Sequence, residues 1–583
     1  MHVTRAAVQG LILVGLALRA GNAQQPAPRP GDDLIGLWGG DALFGPEVRG
    51  ELVLERRGSQ WTLRVSGFEA VADQVGDSVV VQLPGGEGMV RAWVNGSSLD
   101  GFWVQPGDDD RPPYATPLRF SATGRFSAAG RFSATGVGAW RATVAPLDRR
   151  FPLYLSITRA SDGTLQGVFR NPAANWPGRA GAYHVTRVGD RVAFADSRTG
   201  QVRYTQPYDS VQRTIAFDFG GPIILTPRTR AQAVGFVPRS PGLPAYEYRA
   251  PVDLRDGWTS GRARTVGLDE SALQTIVRGI VATDPLSDSV PRVHALLVAR
   301  HGRLVLEEYF FGYGPGRLHD LRSASKTMTS VMAGVAMQRG APFTMATAVD
   351  TRAGSTPITV GHLLTHTSGL ACDDDDDKSP GNEDAMQSQT QEPDWYRYFL
   401  ALPTVHAPGT TYAYCSAGIN FVGHLIGQHV HTWLPAFFDR TVAQPLEITQ
   451  YAVNLMPTGE AYAGGGMYMR PRDFLKFGQL YLNGGTWHGV RVVSAAWVSQ
   501  STARQVDRQD GSEDGFGWHR HVLQAGTRRF QTYEASGNGG QLVVVVPELD
   551  LVVATTAGNY GQYNLWRQIR ESLVPAVMRT VEP

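Results

Sequence analysis

Ser323-Ala324-Ser325-Lys326-Thr327-Met328-Thr329-Ser330-Val331-Met332-Ala333-Gly334-Val335 places a hydroxyl and an amine three residues apart at the head of an apolar run. Met328, Val331, Met332 and Val335 recur at spacings of three, four and seven, the period of an amphipathic helix. Gly340 stands where that helix would end. Residues three apart share a helix face, so the Lys326 amine can touch the Ser323 hydroxyl. The helix N-terminus favours negative charge developing on that oxygen. Lysine is scarce: Lys326, Lys378 and Lys476 are the only three among 54 basic residues. A lysine amine, with an ordinary pKa of about 10.4, acts as a base when burial or positive surroundings strip its proton, and arginine cannot act so at all. Taken alone, the same stretch also reads as a plain helix start with a capping serine and a solvated lysine.

Further along, Pro408-Gly409 precedes Tyr412-Ala413-Tyr414-Cys415-Ser416-Ala417-Gly418-Ile419-Asn420. Tyr414-x-Ser416 supplies a phenol and a hydroxyl two residues apart, just ahead of a helical pattern. A phenol shuttles protons when a nearby ammonium lowers its pKa; the alternative is a tyrosine that merely fills the core. Gly-x-Ser-x-Gly is absent, which disfavours an α/β-hydrolase elbow, and no phosphate-binding glycine loop is present.

The chain around these motifs has 583 residues, 18% charged and 42% hydrophobic, with a net charge of +1. That balance excludes nucleic acid or an anionic membrane as the main partner. The length exceeds one ordinary core, so the fold is expected to be multidomain. Two cysteines exclude a disulfide-dense scaffold and a four-cysteine zinc site. At the start, Arg5, the apolar run Leu11 to Leu18 and Gly21-Asn22-Ala23 form the basic, apolar and small-residue zones of a secretory signal over residues 1–23. The apolar run is far short of the ~20 residues of a membrane span, and no other segment spans. A periplasmic or secreted location is therefore expected.

Residues 24–32 read as a Pro-rich linker, and residues 33–237 as an all-β module of alternating runs such as Glu51-Leu52-Val53-Leu54-Glu55 broken by Gly, Asp and Asn turns. The module looks duplicated. Gly36-Leu37-Trp38-Gly39 recurs as Gly138-Ala139-Trp140-Arg141, and Val75-Gly76-Asp77-Ser78-Val79 as Val188-Gly189-Asp190-Arg191-Val192. Two similar β units would form a closed barrel or a pair of curved sheets. A six-residue echo of Phe120 at Phe126 and Phe132 reads as a slipped duplication in a loop. No catalytic pattern stands out here, so the module is read as binding or structural. Residues 238–265 read as a second linker. In residues 266–583, hairpins at Val293 to Phe310 and Gln541 to Thr556 bracket mostly helical patterns, which points to one antiparallel sheet closed by both ends of the domain.

In the order Ser323-x-x-Lys326, Ile358 to Leu370, Pro408-Gly409 with Tyr414-x-Ser416, Gly464-Gly465-Gly466-Met467-Tyr468, and Gly537-Asn538-Gly539-Gly540, the chain from about Tyr246 onward resembles the penicillin-recognising serine hydrolases. These include class C β-lactamases, DD-peptidases, D-aminopeptidases and family VIII-type esterases. The resemblance implies an α+β β-lactamase-like domain, with an antiparallel sheet flanked by helices and a helical subdomain. It implies Ser323 as nucleophile, Lys326 as its base or proton relay, and Tyr414 as partner base. Ser416, Ser536, Gly537 and Asn538 fall at the substrate and oxyanion positions, with backbone N–H groups of Ser323 and Asn538 as oxyanion donors. Two departures stand out. Ala535-Ser536-Gly537 replaces Lys-Thr-Gly, and Tyr-x-Ser replaces Tyr-x-Asn. Both imply weaker recognition of β-lactam carboxylates and favour ester or amide hydrolysis. β-Lactamase, DD-peptidase or D-aminopeptidase activity is the runner-up, and an inactive acyl-binding sensor the alternative from another class.

Cys372 and Cys415 lie beside two of these landmarks, and in an exported chain a disulfide between them is expected; two buried thiols are the alternative. His362 and His366, four apart, are a metal pair on spacing alone but fall where the family packs or caps histidines. The run Asp373 to Asp377 reads as a solvated loop, since Lys378 stands where a calcium loop needs glycine. No metal and no cofactor are expected, and the partner is a small-molecule ester, amide or peptide substrate.

Overall fold

The computed structural model describes residues 29–582, apart from 58–59, 76–77, 96–97, 108–111, 124–137, 148, 176–181, 219–220 and 351–355. The expected signal segment, most of the first linker, the Phe126 and Phe132 echoes and Gly76-Asp77 lie outside the described residues. Among the described residues, no helix is long and apolar enough to cross a membrane.

Period-two alternation builds two β units. Eight antiparallel strands close a barrel: Gly36–Phe44, Arg149–Arg159, Leu165–Arg170, Tyr183–Val188, Arg191–Asp196, Val202–Asp209, Thr214–Asp218 and Pro222–Arg228. Trp38, Leu155, Ile157, Phe194, Ile215 and Leu225 fill its interior, because alternate residues of a strand point the same way. The second unit is a long antiparallel sheet from Gly50–Arg57 to Tyr114–Arg119, extended by Gly138–Val144 and Ser121–Thr123 and wrapped around Trp61, Trp103 and Trp140. The first strand of the module is separated in the chain from the rest of its barrel. Gly36–Phe44 pairs with Arg149–Arg159 and Pro222–Arg228 and closes the barrel, whereas Gly138–Val144 pairs with Gly50–Arg57 and Ser121–Thr123 in the other sheet. Trp38 is thus buried in the barrel and Trp140 in the long sheet.

The second β sheet does not end at the module. Tyr114–Arg119 pairs antiparallel with Tyr451–Asn454, which continues through Met467–Met469 to His319–Asp320, three residues ahead of Ser323. Tyr114 meets Tyr468 edge to face at 5.4 Å. Arg119 donates two hydrogen bonds, of 2.7 and 2.6 Å, to the buried carboxylate of Asp439, which also accepts from the Tyr451 hydroxyl at 2.7 Å.

The C-terminal domain is a nine-stranded sheet whose centre joins the two expected hairpins, with Val293–Arg300 pairing directly with Leu551–Ala557. Leu297, Ala299, Val543, Val545 and Val552 face one core, containing Ser325–Gln338 and Pro471–Leu482. Leu296, Val298, Val544 and Val553 face the other, containing Glu270–Val281 and Val574–Met578. Two differences from the sequence reading have physical causes. The helix Ser325–Gln338 is buried all round from Ser325 to Ala336 rather than amphipathic, because Ser416–Val430 packs on the side away from the sheet. Residues 238–265 are wound onto the domain, since their aromatic residues find partners: Tyr248 donates to Val305 O at 2.7 Å, and Trp258 Nε1 to Arg472 O at 3.0 Å.

Removing the guanidinium that neutralises Asp439 leaves a buried carboxylate with neutral donors only. Arg119→Ala is expected to lower unfolding stability by about 2–3 kcal/mol in urea titrations. A loss within the ~0.5 kcal/mol of an ordinary surface change would show that the shared sheet does not depend on this pair.

Candidate active site

Ser323 sits in a single 3-10 turn, Arg322–Ala324, that runs directly into Ser325–Gln338. Arg322 has a left-handed φ of 49°, a strained conformation for a non-glycine residue. The strand Arg528–Gly537 lies so close behind this turn that a Cβ on Gly537 would stand 2.2 Å from Leu321 O. Only glycine fits there. The turn is also tied to the shared sheet: Leu321 N–H donates to Met467 O at 3.0 Å, and Met467 N–H to Ser325 Oγ at 3.1 Å.

Three groups meet at the turn. Lys326, 3% exposed, donates from Nζ to Ser323 Oγ at 3.0 Å. Lys326 Nζ lies 4.8 Å from the Tyr414 ring centroid, which places the phenol beside the Lys326–Ser323 pair. A small cavity opens beside them, lined by Ser323, Lys326, Thr327, His366, Trp518 and Ser536 among others.

Lys326 is buried, but its surroundings are acidic rather than positive. Burial works against the Lys326 charge, but Tyr414, Glu383 and Asp374 outweigh it, and the lysine pKa stands above its ordinary value. Burial pushes the Tyr414 phenol up, against the pull of Lys326. The resting pair is therefore an ammonium with a neutral phenol.

Asp374 belongs to the run that reads as a solvated loop. Instead its Oδ2 accepts from Ser416 N–H at 2.8 Å and from Ser416 Oγ–H at 2.6 Å, and its Oδ1 accepts from Glu383 N–H at 2.9 Å. Its own N–H donates to Tyr414 O at 2.7 Å. Burial raises its carboxyl to about 6, with Lys326 opposing. Glu383 in turn accepts from the Tyr462 hydroxyl at 2.5 Å. Five identical residues in a row conceal which one turns inward. The available signal was position, two residues past Cys372.

Cys372 and Cys415 form a disulfide, with Cα atoms 5.4 Å apart. His366 grips the same segment from the other side. Its O accepts from Ala413 N–H at 2.9 Å, its Nδ1 accepts from Cys415 N–H at 3.0 Å, and its ring lies 4.5 Å from that of Tyr414. Burial drives the His366 pKa down to about 3, so the ring is neutral and can accept. His362 instead caps its own short helix with Thr359. Among the described residues, no group of three or more His, Cys, Asp or Glu is arranged to hold a metal ion.

The remaining expected site residues divide. Ser536 lines the cavity with Ser323, and Gly537 backs the Ser323 turn. Asn538 turns its side chain away: Oδ1 accepts from Gly561 N–H at 2.8 Å. Ser416 is fully buried against Asp374 and does not line the cavity, so its hydroxyl supports Tyr414 from behind rather than meeting a substrate. Sequence reasoning missed Asp514 on the cavity wall, which accepts from His519 Nδ1 at 2.7 Å and from the Tyr412 hydroxyl at 3.0 Å and is held ionised down to about pH 2, despite burial, by His519 and Arg508.

Residues 291–561 match the family model described as Beta-lactamase. A 6-aminohexanoate-dimer hydrolase of Paenarthrobacter ureafaciens is 26% identical over 244 residues, which cover 38% of this chain and 60% of that protein; the chain thus spans less than two thirds of the length of this relative. Among solved structures, a putative 6-aminohexanoate-dimer hydrolase from Bacillus anthracis aligns over 50% of this chain and 81% of its own at 16% identity and a TM-score of 0.42. A family VIII carboxylesterase aligns over 56% of this chain and 99% of its own at 17% identity and a TM-score of 0.41. Residues 291–561 are a domain of the penicillin-recognising serine hydrolase family.

Proposed function

We propose that the chain is an exported serine hydrolase that cleaves an ester or amide bond of a small-molecule or peptide substrate through an acyl-enzyme on Ser323. The observation that carries this reading is the 3.0 Å contact from buried Lys326 Nζ to Ser323 Oγ, with the Tyr414 ring 4.8 Å from the same amine. Ser323 Oγ attacks the carbonyl carbon and its proton passes to the Tyr414–Lys326 pair. The pair returns that proton to the departing alkoxide or amine. Water repeats the sequence on the acyl-enzyme and releases the acid. Backbone N–H groups of Ser323 and Asn538 hold the oxyanion. The pair starts as ammonium and phenol, so it accepts a proton only after losing one, and turnover rises with pH through the pKa of the pair.

Ala535 in place of the motif lysine leaves no ammonium at that position for a β-lactam carboxylate, which favours esters and amides. The names of the relatives, a dimer hydrolase and a carboxylesterase, agree with hydrolysis. The signal pattern of residues 1–23 and the Cys372–Cys415 disulfide support a periplasmic or secreted location.

Purified chain is expected to hydrolyse p-nitrophenyl esters faster than nitrocefin and to be labelled by a fluorophosphonate, with Ser323→Ala abolishing both. Nitrocefin as the better substrate would favour the β-lactamase reading, and well-folded protein that takes no label would favour an acyl-binding sensor. Lys326→Arg keeps the charge but cannot release a proton, and is expected to lose more than ~100-fold in kcat; near wild-type turnover would remove Lys326 from the proton path.

The Asp374 charge raises the pKa of Lys326 and of Tyr414 alike. Asp374→Asn keeps an accepting oxygen for Ser416 and removes the charge, so the pair should lose its proton more easily. The rise of kcat/KM with pH is expected to move to lower pH by about one unit. A lower rate at an unmoved pH midpoint would make Asp374 a clamp without electrostatic influence.

A further inference from the structure

The barrel reaches the back of the proposed oxyanion site through one loop. Between Leu165–Arg170 and Tyr183–Val188, residues Asn171 to Asn175 lie against the segment Gly558 to Gln562 of the C-terminal domain. The approach is close: a Cβ on Gly558 would stand 2.7 Å from Ala173 O. Asn175, 1% exposed, donates from its backbone N–H to Gly558 O at 2.6 Å and from Nδ2 to Asn559 Oδ1 at 3.2 Å. Its carbonyl accepts from Gln562 Nε2.

Asn559, fully buried, carries the contact onward. Its backbone N–H and its Nδ2 both donate to Gly539 O, at 3.0 and 3.1 Å. Two residues on, Gly561 N–H donates to Asn538 Oδ1 at 2.8 Å. Asn538 and Gly539 are thus held from behind, main chain and side chain, by a segment that is itself held by the barrel. Arg292 closes the junction: its N–H donates to Asn559 Oδ1 at 2.8 Å and its guanidinium to Asn171 O at 2.7 Å.

We infer that Asn175 is a positioning residue for hydrolysis: through Asn559 it sets the Asn538–Gly539 main chain, so that the barrel completes the oxyanion site. This rests on the reading of Asn538 N–H as an oxyanion donor. The reasoning is geometric. An oxyanion donor works only when its N–H is aimed within a few tenths of an ångström at the place where charge develops. The Asn538–Gly540 turn joins two paired strands, and its local bonds run from Gly540 N–H to Gly537 O and from Gln541 Nε2 to Asn538 O, both at 3.2 Å. The relay from the barrel adds a constraint from behind, on Gly539 O and the Asn538 side chain. Ground-state binding does not use that donor fully, so its misplacement lowers kcat and spares KM.

The test compares four full-length variants on a p-nitrophenyl ester. Asn175→Ala removes the relay. Asn175→Asp keeps the size and sets an acceptor against Asn559 Oδ1. Phe194→Leu loosens the barrel core away from the junction, and Ser323→Ala controls for the chemistry. Both Asn175 variants are expected to lose about ten-fold in kcat with KM within two-fold of wild type, while Phe194→Leu lowers the melting temperature and leaves kcat alone. Unchanged kcat in a folded Asn175 variant would overturn the inference. An equal kcat loss in Phe194→Leu would also overturn it, reducing the effect to general loosening. Activity surviving in Ser323→Ala would instead overturn the proposed chemistry, so the two failures are distinguishable.

Discussion

Burying an ammonium is the constraint around which this site is organised. Lys326 has lost nearly all contact with water, and an isolated charge in such a place is too costly to persist. The chain meets the cost locally with the Ser323 hydroxyl, the Tyr414 phenol and the carboxylates of Asp374 and Glu383. Each of these is held by something else in turn. Asp374 is fixed by Ser416 and by the Tyr414 carbonyl, and Glu383 by Tyr462. The disulfide and His366 hold the tyrosine segment from two sides. The result is a set of charges and hydrogen bonds in which no member can be moved alone.

The same coupling extends to the whole chain. The strand ahead of Ser323 is the edge of a sheet that begins in the N-terminal module, and the wall behind Asn538 leans on the barrel. The first strand ties the barrel to its neighbouring sheet, because Gly36–Phe44 closes the barrel and the chain passes directly on to Gly50–Arg57 of that sheet. Displacing the barrel would therefore strain the sheet that carries the Ser323 turn.

The parts legible in the sequence were those set by local spacing. Ser323 and Lys326 share a helix face because three residues make most of a turn, and Tyr414 was visible through its neighbours in a known order of motifs. The paired hairpins were visible as apolar runs split by turn residues. What was hidden depends on long-range register or on choice among equivalents. The pairing of Tyr114–Arg119 with Tyr451–Asn454 leaves no mark in either strand, since both are short runs buried on both faces and neither specifies a partner. Asn175 and Asn559 are 384 residues apart, and a buried asparagine pair has no periodicity. Asp374 was masked by four identical neighbours. The negative field at Lys326 is hidden for the same reason: Asp374, one of the carboxylates that set it, comes from a run that composition assigns to solvent.

A negative field at the base has a consequence for mechanism. It keeps the proton on the Tyr414–Lys326 pair at neutral pH, which slows the first attack. It also stabilises the protonated pair once the Ser323 proton has arrived, and a stabilised ammonium is what must stand beside the departing group to complete the transfer. The balance between these effects turns on the ionisation of Asp374 near pH 6. Above that pH the carboxylate is charged and the pair is a stronger but less available base; below it the field weakens and the pair releases its proton more readily. The site thus trades base availability against base strength through a carboxylate that touches neither Ser323 nor the cavity, and acts only through the charge it presents to Lys326.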